Sequence, residues 1–318
     1  MIMPLNYSSK KWLEKHFKHL ARFDEPMAAH TSFKVGGPAD AFVEPETRQD
    51  LYRLIRWTNE KGLSCLIVGG GTNLLVTDRG YDGIVISIRR CLDRIVVGDQ
   101  NSSRIKVTAM AGTRLGRLCS FAVSRGYAGM NFALGIPGTI GGAIMMNAGT
   151  ARGCIADVLD SAVFLLPAGE VRAVARGKLD FSYRTLSWKT GNLKFNLGRP
   201  VILEGCFILL PSDKVRLKKE AEMILAQRKA KQPTTKPSAG CFFKNPPSGE
   251  SAGALIDRAG LKGTKVGGAE ISSQHANFII NKKTATAADI LELAGRVRQV
   301  VSDKFKVQLE TEVDIVGN

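Results

Sequence analysis

Histidine is scarce in this chain, four among 318 residues, and the six cysteines (Cys65, Cys91, Cys119, Cys154, Cys206 and Cys241) are scattered without one C-x-x-C pair. Zinc sites and disulfide frameworks need clustered ligands or regular pairs, so the spacing argues against both and for reduced thiols. The opening MIMPLNYSSKKWLEKHFKHL holds no apolar run followed by a small-residue cleavage site, which speaks against a secretory signal. Acidic side chains are in deficit, 29 against 45 lysines and arginines, for a formal net charge of +16. Such a field suits an anionic partner: nucleic acid, a membrane surface, or a phosphorylated or carboxylated small molecule. Charge alone does not choose among them. No charged residue occurs between Arg125 and Arg152, yet glycines, Pro137 and two asparagines interrupt the stretch and make it a poor membrane span.

The composition, 44% hydrophobic and 23% charged, is that of a globular protein with material for two or three domains. Trp12, Leu13, His16, Phe17 and Leu20 share one side of a short N-terminal helix. Apolar runs predict strands at 63–68, 83–88, 104–109, 161–166 and 201–210, with helices at about 48–61 and 115–125. A basic helix at 214–231 follows a plausible boundary near 210–215. Then come a helix at about 252–259, a strand at 277–281, a helix at about 287–305, and KVQLETEV, whose alternation reads as a half-buried strand. The class is α+β.

Two glycine-rich segments stand out. Gly69-Gly70-Gly71-Thr72-Asn73 follows a strand, but Leu74 stands where a dinucleotide fingerprint needs its third glycine. Both a structural turn and a diphosphate cradle of backbone N–H groups remain open for it. In ALGIPGTIGGAIMMNAG the crowding of Gly135, Gly138, Gly141, Gly142 and Gly149 would make a poor helix or strand and favours a backbone approached closely by a ligand. Gly249-Glu250-Ser251-Ala252-Gly253 has the form of a nucleophile elbow, with His275 downstream, but NPPSG precedes it where a strand is required. Ser251 therefore reads as a helix N-cap. The basic helix lacks interleaved aromatics for base stacking, so a solvated face is the better account of it. An isolated cysteine such as Cys241 is in general a small buried residue.

HTSFKVGGPAD (30–40), VGGGTNLLV (68–76), GIPGTIGGAIMMNAG (135–149), FSYR (181–184), SAGCFFKNP (238–246) and LETEV (309–313) occur in the order found in the UDP-N-acetylenolpyruvoylglucosamine reductases of peptidoglycan synthesis. The chain resembles that family from about residue 22 onward, and in length resembles its shorter class, without a substrate-capping insertion. The resemblance implies a two-subdomain FAD-binding module of the vanillyl-alcohol-oxidase type and a smaller α+β substrate-binding domain. It sets the N-terminal helix at 1–20, the first FAD subdomain at 21–90 with 310–318 returning to it, the second at 91–213, and the substrate domain at 214–309. The implied cofactor is FAD, reduced by NADPH, and the implied partners are NADPH and the UDP-sugar enolpyruvate, with neither nucleic acid nor membrane insertion, in the cytoplasm.

By the same resemblance Gly69, Gly70, Gly71, Thr72, Asn73, Leu74, Pro137, Gly138, Thr139, Gly142, Ala143, Asn147 and Gly149 hold FAD. Tyr183, Lys244, Asn245 and Gln274 contact substrate. Arg184 and Glu312 stabilise an enediolate, and Cys241 takes the place of the proton donor, commonly serine. A thiol with an ordinary pKa near 8.5 is mostly protonated at neutral pH and is a stronger acid than a hydroxyl. Two rival readings are another FAD oxidoreductase with the same cradle and, from the charge alone, a nucleic-acid-binding protein.

Overall fold

The computed structural model describes residues 5–188, 200–247 and 249–317. Among them eight α-helices are formed: α1 (Tyr7–Phe17), α2 (Arg48–Glu60), α3 (Leu115–Arg125), α4 (Ile140–Met145), α5 (Ile155–Val158), α6 (Lys214–Lys231), α7 (Ala252–Arg258) and α8 (Ala287–Phe305). The chain divides into two compact units, one drawn from 1–22, 41–70 and 83–226, the other from 23–40, 71–82 and 227–318.

In the first unit α1 and α2 start on side-chain caps, Asn6 accepting from the Ser9 N–H and Thr47 from the Asp50 N–H. Each satisfies an N–H that a helix start leaves unpaired. The expected apolar side of α1 is real: Leu13 and Phe17 are buried, and Trp12 stacks on Trp57 of α2 with ring centroids 4.0 Å apart and nearly parallel planes. Leu20 falls in a 3₁₀ turn after the helix. Cys65–Val68 and Tyr81–Ser87 pair in parallel, Cys65 opposite Ile84.

The unit's larger sheet runs Val171–Ala175, Leu159–Leu165, Val201–Pro211, Ile105–Met110, Ile95–Gln100, each neighbouring pair antiparallel, with Tyr127–Ala128 added on Val201–Pro211. Phe164, Leu203, Phe207 and Leu209 are fully buried in it. α4 lies over the central strand so closely that a Cβ on Gly205 would come within 2.6 Å of the Ile144 side chain. This corrects the expectation that the second glycine segment is unsuited to helix. Ile140, Ala143 and Ile144 bury enough apolar surface to hold α4 despite Gly141 and Gly142.

Described residues of the second unit build an apolar cluster that includes Phe33, Leu75, Phe242, Phe243, Ile256, Ile271, Ile290, Leu293, Val297, Leu309 and Val313. α7 and α8 supply much of it, beside a small antiparallel sheet of Lys265–Val266, Ala269–Ile271 and Ile279–Asn281. α8 begins on a capping box between Thr286 and Asp289. The Asp78 carboxylate adds two bonds of 2.8 Å from the N–H groups of Ala287 and Ala288, a favourable place for negative charge.

KVQLETEV forms no strand. Its alternation is kept, with Leu309 and Val313 buried, but it is fixed by a single bridge, Thr311 to Phe243, and the last strand is Asp314–Val316, parallel to Leu74–Val76. A period of two reports burial without saying whether a neighbouring backbone is straight enough to ladder with it. The strand expected from Asn277 begins at Ile279, because Asn277 belongs to the preceding loop. The second compact unit joins 23–40, 71–82 and 227–318. Hydrogen bonds from the 30–37 loop to Gly71 and Ser238 explain the grouping of those segments.

Candidate functional site

The first unit holds the long glycine segment and FSYR. Thr139 precedes α4 with its hydroxyl buried and without a hydrogen-bond partner among the described residues. A Cβ on Gly69 would lie 2.1 Å from that Oγ1, and one on Gly142 would meet only the same atom, at 3.8 Å. Gly69, Thr139 and Gly142 thus form one patch. The N–H groups of Ile140 and Gly141 are spent on the carbonyls of Thr113 and Ala111, so they offer nothing to a ligand.

Asn147 fixes the end of the segment. Its Nδ2 donates to the Ser182 carbonyl (3.1 Å) and its Oδ1 accepts from the Ala156 N–H (3.1 Å). Ser182 ends one arm of a hairpin, Leu179–Ser182 with Thr185–Trp188, and Tyr183 and Arg184 are its turn. Arg184 has φ +59°, a left-handed conformation costing a non-glycine residue about 1 kcal/mol or more. The strained turn sets the guanidinium 5.0 Å over the Tyr183 ring and brings Nη1 to 3.4 Å from the Gly149 carbonyl. Arg184, Asn147 and Gly149 are therefore one connected assembly.

The second unit gathers three other motifs and, from Gly71 onward, the shorter glycine segment. Gly71 has φ +59° and packs so tightly on the His30 carbonyl that a Cβ would come within 2.0 Å of it, while its own carbonyl accepts from Ser32. The Ser32 hydroxyl donates to the Ser238 carbonyl at 2.7 Å, tying this loop to the segment that carries Cys241. Asn73 Nδ2 donates to the Glu312 carbonyl (3.1 Å), and the Asp314 N–H to the Asn73 carbonyl (2.9 Å). Glu312 N–H donates to Phe242 O (2.8 Å) and Lys244 N–H to Glu310 O (2.9 Å), so Cys241 and Glu312 sit on adjoining backbones.

The remaining expected contacts have structural tasks as well. Lys244 Nζ is 3.3 Å from a Glu310 carboxylate that is largely in solvent, a weak pairing. Asn245 Oδ1 accepts from the Ala252 N–H at the start of α7, where the Ser251 hydroxyl accepts from Ala254; Ser251 is the N-cap expected of it. Gln274 Nε2 donates to the carbonyls of Lys229 and Ala230, both at 2.9 Å, so its side-chain donors serve the end of α6. His275 is pushed below its ordinary pKa by burial and then by Lys262, and its Nδ1 faces the Asn277 N–H at 3.3 Å.

Sequence reasoning missed Asn277, which holds the Cys241 segment, Asp78, which caps α8, and Arg228, whose buried Nε has no partner among the described residues. The first two act across long sequence separations and leave no local signal. Arg228 is hidden in a basic run that otherwise faces solvent.

Residues 39–175 match the model of an FAD binding domain. The chain is thus a flavoprotein of mixed α and β structure. Residues 232–316 match the C-terminal domain model of UDP-N-acetylenolpyruvoylglucosamine reductase. A protein of that name from Desulfosudis oleivorans is 44% identical over 310 residues, 97% of this chain and 98% of the relative. One from Geobacter sulfurreducens is 42% identical over 302 residues, 93% of each. The crystal structure of the Thermus caldophilus reductase superposes with TM-score 0.74 at 32% identity, covering 93% of this chain and 98% of that one. The chain belongs to the UDP-N-acetylenolpyruvoylglucosamine reductase family.

The residues present fit FAD at a specific point. An unpartnered buried hydroxyl beside two glycines, one barred from carrying a Cβ, is a donor kept for a group brought close to the backbone. No helix among the described residues is long and apolar enough to cross a membrane.

Proposed function

We propose that the protein catalyses the NADPH-dependent, FAD-mediated reduction of UDP-N-acetylglucosamine enolpyruvate to UDP-N-acetylmuramate, a step of peptidoglycan precursor synthesis. The observation that carries this reading is the near full-length similarity to the reductases, together with the Gly69, Thr139 and Gly142 patch. Bound FAD supplies hydride transfer between the nicotinamide and the enolpyruvyl double bond.

The residue types follow from the charge that moves. Addition at carbon 3 of an enolpyruvyl ether drives negative charge onto the carboxylate as an enediolate, which calls for a cation and a hydrogen-bond donor there and an acid at carbon 2. Arg184 is the cation, and the bonds of Asn147 and the strained turn fix where its guanidinium starts. Glu312 is the donor, in its protonated form, since a carboxylate anion would repel the enediolate. Cys241 protonates carbon 2.

Thr139, Gly69, Gly70, Gly71, Thr72, Asn73, Leu74, Pro137, Gly138, Gly142, Ala143, Asn147 and Gly149 hold FAD. Lys244, Asn245, Tyr183 and the oxygen end of Gln274 hold substrate. The pairing of 314–316 with 74–76 supports a return of 310–318 to a first subdomain at 21–90, with 91–213 and 214–309 as the others. Use of NADPH and a UDP-sugar substrate supports work in the cytoplasm.

Visible spectra of the purified protein test the reading. A flavin band bleached by anaerobic NADPH and restored by the enolpyruvyl sugar nucleotide supports it. Restoration by oxygen alone means a different substrate, and a colourless protein that takes up no FAD overturns it.

A further inference from the structure

We infer that Arg228 is the positioning residue of Cys241: carried half-buried on the last turn of α6, whose end is fastened to the same loop as the residues after the thiol, its guanidinium supplies the positive charge that stabilises the thiolate left when the proton departs. The inference rests on Cys241 as proton donor and deepens that assignment.

The geometry begins with one loop. Residues 272–278 close on themselves through Ser272 N–H to Phe278 O (2.9 Å) and Phe278 N–H to His275 O (3.0 Å). Gln274 of this loop holds the carbonyls of Lys229 and Ala230, fixing α6 one and two residues beyond Arg228. Asn277 of the same loop holds the other side: its carbonyl accepts from Phe242 N–H, and its side chain bonds Phe243 twice. The neighbours of Arg228 and of Cys241 are thereby fastened to a single seven-residue frame. Arg228 itself forms no ion pair among the described residues, and its Nε is buried without an acceptor. A cationic head left unneutralised and partly desolvated is costly unless a negative charge forms nearby at some stage. Burial lowers the Arg228 pKa, and a charge on Cys241 acts on it in the opposite sense.

In the proton transfer the S–H bond breaks and a C2–H bond forms from the electron pair of the enediolate, while sulfur keeps the S–H pair as thiolate. Solvent later returns the proton. A guanidinium charge acting on sulfur lowers the thiol pKa, so the donor is a stronger acid at the moment it is needed. A lysine would serve as a point charge, and a neutral side chain would not.

The test labels Cys241 with iodoacetamide in the full-length FAD-loaded protein, following that residue by peptide mass spectrometry as a function of pH. Arg228→Met is expected to slow labelling at pH 7.5 about tenfold and to move the midpoint of the pH profile upward by about one unit. Arg228→Lys stays within about threefold of wild type. If the methionine variant does not fold, Arg228→Gln takes its place with the same expectation. Wild-type labelling in the neutral variants overturns the inference, and so does a lysine variant as slow as the neutral ones, which would assign the effect to packing. Turnover of Cys241→Ala is read separately. Wild-type turnover there removes Cys241 from the chemistry while leaving the labelling result to stand as charge coupling alone.

Discussion

Asn277 grips Phe243 at both ends of its side-chain amide: Oδ1 accepts from the Phe243 N–H at 2.9 Å, and Nδ2 donates to the Phe243 carbonyl at 2.8 Å. One side chain thus replaces a strand neighbour for a buried residue two places after Cys241. Asn277→Ala leaves that N–H and C=O both buried and unpaired, at about 1–3 kcal/mol each. The expected result is a melting temperature lower by several degrees and slower turnover. Scanning calorimetry and steady-state rates check it, and an unchanged melt would mean that water replaces the amide.

Gly69→Ala puts a methyl group 2.1 Å from Thr139 Oγ1. The atom cannot fit without moving α4 or the loop, so the variant is expected to purify without its yellow colour. Thr139→Val, which keeps the shape and removes the hydroxyl, is expected to weaken FAD about tenfold, the value of one hydrogen bond. Absorbance titration with FAD separates the two. Wild-type affinity in the valine variant would leave the buried hydroxyl unexplained.

Cys241→Ser keeps a proton donor and is expected to remain active. In Cys241→Ala, bleaching of the flavin by NADPH is expected at the normal rate, with reoxidation by the enolpyruvyl substrate slower by roughly 10²-fold or more. Stopped-flow absorbance resolves the two half-reactions. Normal reoxidation would show that carbon 2 takes its proton from elsewhere.

His275 gives the second unit a pH dependence of definite sign. Burial and Lys262 hold its folded pKa below the ordinary value near 6.5, so between the two values the unfolded chain binds more protons. Its contribution is fully present above about pH 6.5 and is lost as pH falls from there toward the folded pKa. Protonation of Nδ1 would also turn it from acceptor to donor against the Asn277 N–H. Thermal melts between pH 7 and 5 are expected to fall more steeply for wild type than for His275→Gln; parallel curves would exclude the histidine.

The long helices are the part of the fold most legible in the sequence. α3, α6 and α8 start and stop where periodicity and caps put them, with Gly126 in the left-handed conformation after α3 and Thr286 before α8. Short elements are another matter. Lys265–Val266 and Ala269–Ile271 are too brief for any period to show, and only the buried neighbours of α8 make them strands. Motif order singled out the candidate residues but not the contacts that support them. The strained φ of Arg184, the amide clamp of Asn277 and the buried Nε of Arg228 arise from contacts that no local pattern encodes.

The bond from Asn73 to the Glu312 carbonyl joins residues 239 positions apart. On a ribosome adding roughly 5–20 residues per second, Asn73 emerges some ten to fifty seconds before its partner exists. The glycine turn at 69–73 is therefore among the first motifs translated and among the last to be locked. The Asn73 end of the turn is closed only when the C-terminal residues arrive, well after the Gly69, Thr139 and Gly142 patch has been made.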